Sequence, residues 1–185
     1  MRTRGALAVE AGLALVPRHP ADAPEMYALM ERHREALREW LTWTDTTRTL
    51  ADVRRYAQFA EAQFASHAAF DYALRSNDAI VGSIGLHSLD WGSRSAQIGY
   101  WLSPEARGRG LVTRAAAALV THALAHLDLH RLEIRCVVDN VRSRAVPERL
   151  GFAFEGVLAE AYLLHGRFRD SALYATTKSL WRAGS

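Results

Sequence analysis

An α/β fold, with a mixed but largely antiparallel sheet of about seven strands and helices on both of its faces, is predicted by this 185-residue sequence. Three observations carry the prediction. Apolar and polar residues alternate within residues 70–102 and 131–138, the period of two that half-buried strands show. Elsewhere apolar residues recur at intervals of three and four, the period of a helix that packs one face. The turn-forming clusters between the strands are short, so successive strands join as hairpins. At 49% hydrophobic and 23% charged residues, residues 1–185 form one domain that can bury a core without disulfides or a structural metal.

Taken in order, residues 7–16 are an apolar stretch closed by Pro17-Arg18-His19-Pro20 and predict a first strand. A helix follows, capped by Asp22, with Pro24 in its first turn and Met26, Leu29, Met30 and His33 on its stripe. Ala36, Leu37, Trp40 and Leu41 continue the period, as a bent extension or a second short helix. Thr49 and Asp52 offer the next start, and Val53, Tyr56, Phe59, Ala60, Gln63 and Phe64 its stripe. Residues 70–75 and 80–89 pair across Ser76-Asn77-Asp78, and Asp90-Trp91-Gly92-Ser93 turns the chain into residues 94–102, completing a meander. Val112, Ala115, Ala116, Leu119, Val120, Ala123, Leu124 and Leu127 mark the strongest helix. Residues 131–138 are a strand with Leu132, Ile134, Cys136 and Val138 on one face. Residues 140–150 are a short helix closed by Gly151, which suits a left-handed cap. Pro147 has no N–H for the carbonyl of Ser143, which predicts a kink or 3₁₀ turn there. A last hairpin joins residues 152–164 to 168–177 across His165-Gly166-Arg167.

The chemistry concentrates in the loop before the strongest helix. Free N–H groups at a helix start point at an anion, and the helix dipole favours it. Gly108 and Gly110 let the backbone approach closely, while Arg107 and Arg109 add charge, so a phosphate or pyrophosphate is the expected ligand. A Walker A loop is excluded, because it needs Gly-Lys-Ser/Thr and the only lysine is Lys178. Thr113 stands where a dinucleotide fingerprint needs glycine or alanine.

The run Ile98-Gly99-Tyr100-Trp101-Leu102-Ser103-Pro104, the loop Arg107-Gly108-Arg109-Gly110, then Asp139-Asn140 with Ser143, Leu150-Gly151-Phe152 and Glu155-Gly156 resemble the GNAT N-acetyltransferase superfamily. Within it the chain is similar to the RimJ/RimL branch, which acetylates ribosomal-protein N-termini. The resemblance covers residues 13–179 and implies a GNAT-type seven-stranded sheet, split at a cofactor cleft between the strands at 94–102 and 131–138. It implies acetyl-CoA as donor, with the pyrophosphate on the backbone of Arg107, Gly108, Arg109, Gly110, Leu111 and Val112. The pantetheine arm would pair with Tyr100, Trp101 and Leu102 and be held by Asn140. Ser143 would lie beside the thioester sulfur, contacting the cofactor and protonating the leaving thiolate. The branch's acidic base matches Tyr162 here, so Tyr162 is expected at the acceptor. Glu160, two residues away and on the same face of a regular strand, is the expected substitute base, with a water relay as the competing account. Trp40 and Trp43 either line the acceptor cleft or belong to the core. A homodimer is expected from the family alone.

The resemblance thus implies acetyl transfer to a primary amine, a protein or peptide N-terminus first. A small-molecule amine such as a polyamine or antibiotic is the alternative acceptor, and a non-catalytic CoA-binding regulatory module the alternative class. Nucleic acid is not an expected direct partner: despite a net charge of +3, the 22 arginines are interleaved with 20 acidic residues and form no run of five. The single cysteine, Cys136, allows no intrachain disulfide and reads as a small core residue rather than a nucleophile. His122, His126 and His130 fall on one helical stripe without a HExxH pattern, so no metal is expected. No stretch reaches membrane-spanning length and no signal peptide is evident, which points to the cytoplasm.

Overall fold

The computed structural model describes residues 5–182. Its strands are β1 (Leu7–Glu10), β2 (Leu13–Pro17), β3 (Phe70–Ser76), β4 (Ala79–Asp90), β5 (Ser95–Leu102), β6 (Arg131–Val137), β7 (Ala153–Leu164) and β8 (Arg167–Thr177). They form one open sheet in the order β1-β2-β3-β4-β5-β6-β8-β7, with β5–β6 its only parallel pair. The strand count is eight rather than the expected seven, because residues 7–16 are a tight hairpin and not one strand. Gly12 turns the chain at φ +75°, and its carbonyl accepts the Asn77 N–H at 2.7 Å. A single glycine inside an apolar run is easily read as part of that run.

The helices are α1 (Ala23–Arg32), α2 (Arg34–Arg38), α3 (Leu50–Ala65), α4 (Leu111–Ala125) and α5 (Val141–Arg149). α1 and α2 are separate, divided at His33, whose φ of −121° leaves the helical region. Asp22 makes no side-chain cap for α1; its carboxylate faces Arg75 of β3 at 3.0 Å instead. α3 starts with a complete capping box: Thr49 accepts from the Asp52 N–H at 3.2 Å and Asp52 from the Thr49 N–H at 2.9 Å. α5 is α-helical through Arg149 despite Pro147, so the 3₁₀ turn, one of the two expected outcomes, does not form. The Ser143 carbonyl, denied a helical amide by Pro147, accepts the Tyr100 hydroxyl at 2.8 Å.

Side chains alternate across the sheet into two cores. On β3, Tyr72 and Leu74 enter the larger one, with Ala115, Leu119 and Val120 of α4 and Val146 of α5. Ala73, between them, enters the smaller one with Met26 and Met30 of α1, Leu37 of α2 and Val53 of α3. The feature that positions the site is a fork. β5 pairs with β6 only over Ser95–Gln97 against Arg131–Glu133, whereas its other edge stays paired with β4 out to Leu102. Beyond Gln97 the edge of β5 on the β6 side is open. No helix among the described residues is long and apolar enough to cross a membrane.

Candidate active site

A cavity of about 300 Å³ sits at the fork. Its wall includes Gln97, the last β5 residue paired with β6, Cys136 near the end of β6, Asn140 and Ser143 at the start of α5, Tyr162 on β7 and Trp40 after α2. Ser143 is held from two sides. Its N–H donates to Asn140 Oδ1 at 3.1 Å, the N-cap bond of α5, and its Oγ–H lies 3.4 Å from the Tyr100 hydroxyl. Burial pushes the Tyr100 hydroxyl well above the ordinary tyrosine pKa, and pushes the Cys136 thiol up to about 11. Both are therefore neutral at pH 7.

The loop after β5 has the backbone its glycines foreshadow. Gly108 and Gly110 stand at φ +75° and +70°, and Gly110 is the N-cap of α4 with no side-chain capping bond. A Cβ at Gly108 would project into open space, with nothing within 4 Å. Arg114 braces the loop from inside α4, donating to the Arg109 carbonyl at 3.0 Å and pairing with Glu10 of β1 at 2.9 Å. Arg107 is partly buried, and burial together with the nearby Arg142 charge lowers its pKa below the arginine norm. The Glu39 carboxylate opposes that shift in part. Arg142 was not among the residues singled out from sequence, although a cation in the first turn of a helix opposes the dipole and was a readable signal.

The structure brings Ser143, Asn140, Trp40 and Tyr162 to one cavity; Tyr100, Trp101, Leu102 and residues 107–112 lie outside its lining, and of the residues expected at the acceptor or as its base, two are left out as well. Trp43 packs on Trp101 at 5.8 Å between ring centroids, in the smaller core. Glu160 is exposed and lines no wall of this cavity. The premise of a regular strand fails there: pairing passes from Leu158↔Ser171 to Tyr162↔Arg169, so three residues of β7 bulge opposite Asp170 alone. Glu160 takes φ +51° and its N–H donates to Asp170 Oδ1 at 2.8 Å. Arg135, Leu158, Ala161 and Ser171 complete the wall and were not anticipated; the bulge that turns Ala161 inward has no sequence signal. The far side is tied down at the β7–β8 turn. His165 Nε2 lies 2.6 Å from the Arg38 carbonyl and Nδ1 3.2 Å from Asp45, itself 2.6 Å from Arg38. A second hollow, between β1 and α4, contains His122 and His126, whose ring centroids lie 5.2 Å apart with the planes tilted by 37°; it shares no residue with the cavity.

Residues 13–153 match the family model described as an acetyltransferase (GNAT) domain. The ribosomal-protein-serine acetyltransferase of Escherichia coli (strain K12) is 30% identical over 150 residues, 81% of this chain and 84% of that protein. The ribosomal alpha-N-protein acetyltransferase RimL, solved with coenzyme A, superposes with a TM-score of 0.90 at 26% identity, covering 93% of this chain and 97% of that one. Mycobacterium smegmatis RimJ, solved with a CoA disulfide, gives 0.88 at 27% identity, covering 97% and 89%.

Proposed function

Because the chain belongs to the acetyltransferase (GNAT) family, we propose that its acceptor is the N-terminal α-amine of a protein, ribosomal proteins foremost. It is an N-acetyltransferase that uses acetyl-CoA; the acceptor and the residue roles are the proposal. The observation that carries it is the meeting of Ser143, Asn140 and the fork of β5 and β6 around one cavity. The donor fits these residues: the loop glycines hold positive φ and leave open the space that a side chain at position 108 would take.

Bound acetyl-CoA supplies an acetyl thioester. The backbone of residues 107–112 binds the pyrophosphate, and Arg107 and Arg142 balance its charge. The open edge of β5 at Tyr100, Trp101 and Leu102 and the carboxamide of Asn140 hold the extended arm. An N–H of that edge polarises the acetyl carbonyl, and Ser143 Oγ gives its proton to the departing sulfur. Trp40 and Tyr162 flank the acceptor. With Glu160 outside the cavity, water takes the proton of the amine and returns a proton to the Ser143 oxygen, which closes the balance.

That arrangement suits an α-amine. With a pKa of about 7.7 to 8.0 it is roughly 10 to 15% neutral at pH 7, whereas a lysine at about 10.4 is neutral only about 0.04% of the time. The difference, about 3.4 kcal/mol, is what a dedicated base would have to supply. The cavity wall contains Arg135 and no carboxylate, which disfavours a polycation such as spermidine. The same reading has the enzyme at work in the cytoplasm as a homodimer. Exposed Phe154, Val157, Leu163 and Phe168 on the outermost hairpin support the dimer, and sedimentation tests it.

Release of free CoA tests the acceptor, using free-N-terminus peptides from ribosomal proteins, N-blocked lysine peptides and spermidine. Turnover with the first set alone is expected; turnover restricted to spermidine contradicts the proposal.

A further inference from the structure

We propose that the Tyr100 hydroxyl is a positioning group for Ser143, standing in for the amide hydrogen that Pro147 lacks. The inference rests on the proton-donor role of Ser143 given above. In an α-helix the carbonyl of residue 143 is answered by the N–H of residue 147. Here residue 147 is proline, two residues before the end of α5, and its ring both removes that donor and crowds the same carbonyl. The segment nonetheless stays α-helical through Arg149. Across the fork, from β5, the Tyr100 hydroxyl donates to the Ser143 carbonyl at 2.8 Å.

A phenol has one proton. Once it is given to the carbonyl, the Tyr100 oxygen can only accept, and the group 3.4 Å away that can donate to it is Ser143 Oγ. That contact is long enough for the serine hydroxyl to turn toward a sulfur that gains charge. Burial keeps the phenol protonated, so the arrangement does not titrate near neutral pH. With Asn140 on its N–H, Ser143 has its amide and carbonyl addressed by two side chains, one at the helix start and one 43 residues away on the opposite prong of the fork, while its hydroxyl faces both Tyr100 and the Cys136 thiol. Removing the phenol oxygen leaves a partly buried carbonyl without helical amide or hydroxyl. The first turn of α5 then shifts toward another donor and carries Oγ with it.

A double-mutant cycle in the full chain tests this. Tyr100→Phe is expected to lower kcat about tenfold, with KM for acetyl-CoA changed less than about twofold, as a small displacement of a reacting group does. Pro147→Ala restores an amide at the right helical position. Alone it leaves kcat within about twofold of wild type, and added to Tyr100→Phe it recovers kcat to within about threefold, the non-additivity of a shared partner. In a Ser143→Ala background, Tyr100→Phe has no further effect on kcat. Loss of the same factor with or without Ser143, or no recovery on adding Pro147→Ala, overturns the inference. A Ser143→Ala enzyme as fast as wild type has a different signature: it defeats the proton-donor role and this inference with it. If Tyr100→Phe is too unstable to assay, thermal melting reads the same cycle: Pro147→Ala must raise its midpoint more than it raises that of wild type, and equal shifts overturn the inference.

Discussion

Cys136 and Ser143 face the same cavity, and their surroundings separate them for acyl chemistry. Burial pushes the Cys136 thiol up to about 11, so it carries almost no thiolate at neutral pH and cannot serve as a nucleophile. Ser143 needs no ionisation to donate a proton. Cys136→Ala is therefore expected to keep kcat within about threefold, with no acetyl adduct by intact mass, while Ser143→Ala loses about 10²-fold, the lower end for a missing acid. The same thiol gives a pH signature. Unfolded, it ionises near its ordinary value of 9.0, but folded only near 11, so between these the native state binds more protons and stability falls as pH rises. Urea midpoints measured across that window should fall less steeply for Cys136→Ala than for wild type; equal slopes contradict the assignment. At this scale the positive φ of the loop glycines was legible from backbone chemistry, whereas Asn140 and Ser143 were pointed to only by the resemblance of the motif that contains them. Glu160 was misplaced because the argument from two-residue spacing holds only where a strand is regular, and the bulge at residues 159–161 is made by pairing with β8, far along the chain.

Among the elements, the loop into α4 and the start of α5 carry the proposed ligand contacts, whereas α3 lends no residue to the cavity wall. Gly108→Ala puts an L-residue at φ +75°, at a cost of about 1 to 2 kcal/mol, and places a methyl where the phosphate is expected. It should raise KM for acetyl-CoA more than it lowers kcat; the reverse pattern in steady-state kinetics argues against a phosphate there. Thr49→Ala breaks the capping box of α3 and should cost about 1 kcal/mol, roughly 2 to 4 °C in Tm, with kinetics unchanged. The β7–β8 turn behaves differently. His165→Ala removes its tie to the Arg38 carbonyl and Asp45, so KM for the acceptor should rise while KM for acetyl-CoA stays put. A rise in both would mean that the tie is general to the fold. The helices, the meander and the last hairpin were legible from periodicity and turn chemistry, such as Asn77 and Asp78 at φ +48° and +64°. The β1–β2 hairpin was not, since a turn that leaves an apolar run unbroken has no periodic signature.

At the scale of the whole molecule, the candidate active site is a break in the sheet. Of the seven strand pairings, that of β5 with β6 alone covers less than half of each strand, stopping after three residue pairs, and the cavity and the start of α5 lie at that parting. Two cores, one on each face, hold the prongs apart: α4 and α5 on one side, α1 and α2 with Val53 of α3 on the other. The placing of the fork between the strands at 94–102 and 131–138 was legible through the motifs that flank it. Of the cavity wall, Trp40 and Tyr162 were pointed to by the resemblance, whereas Arg135 and Ala161 were not, because they come from separate regions and meet only in the fold. The central claim is that the acetyl group goes to an α-amine. Its most direct test is tandem mass spectrometry of one peptide with both a free N-terminus and an internal lysine, after incubation with the enzyme and acetyl-CoA. The account predicts a single acetyl group on the first residue and an unmodified lysine; acetyl on the lysine, with a free N-terminus, would contradict it.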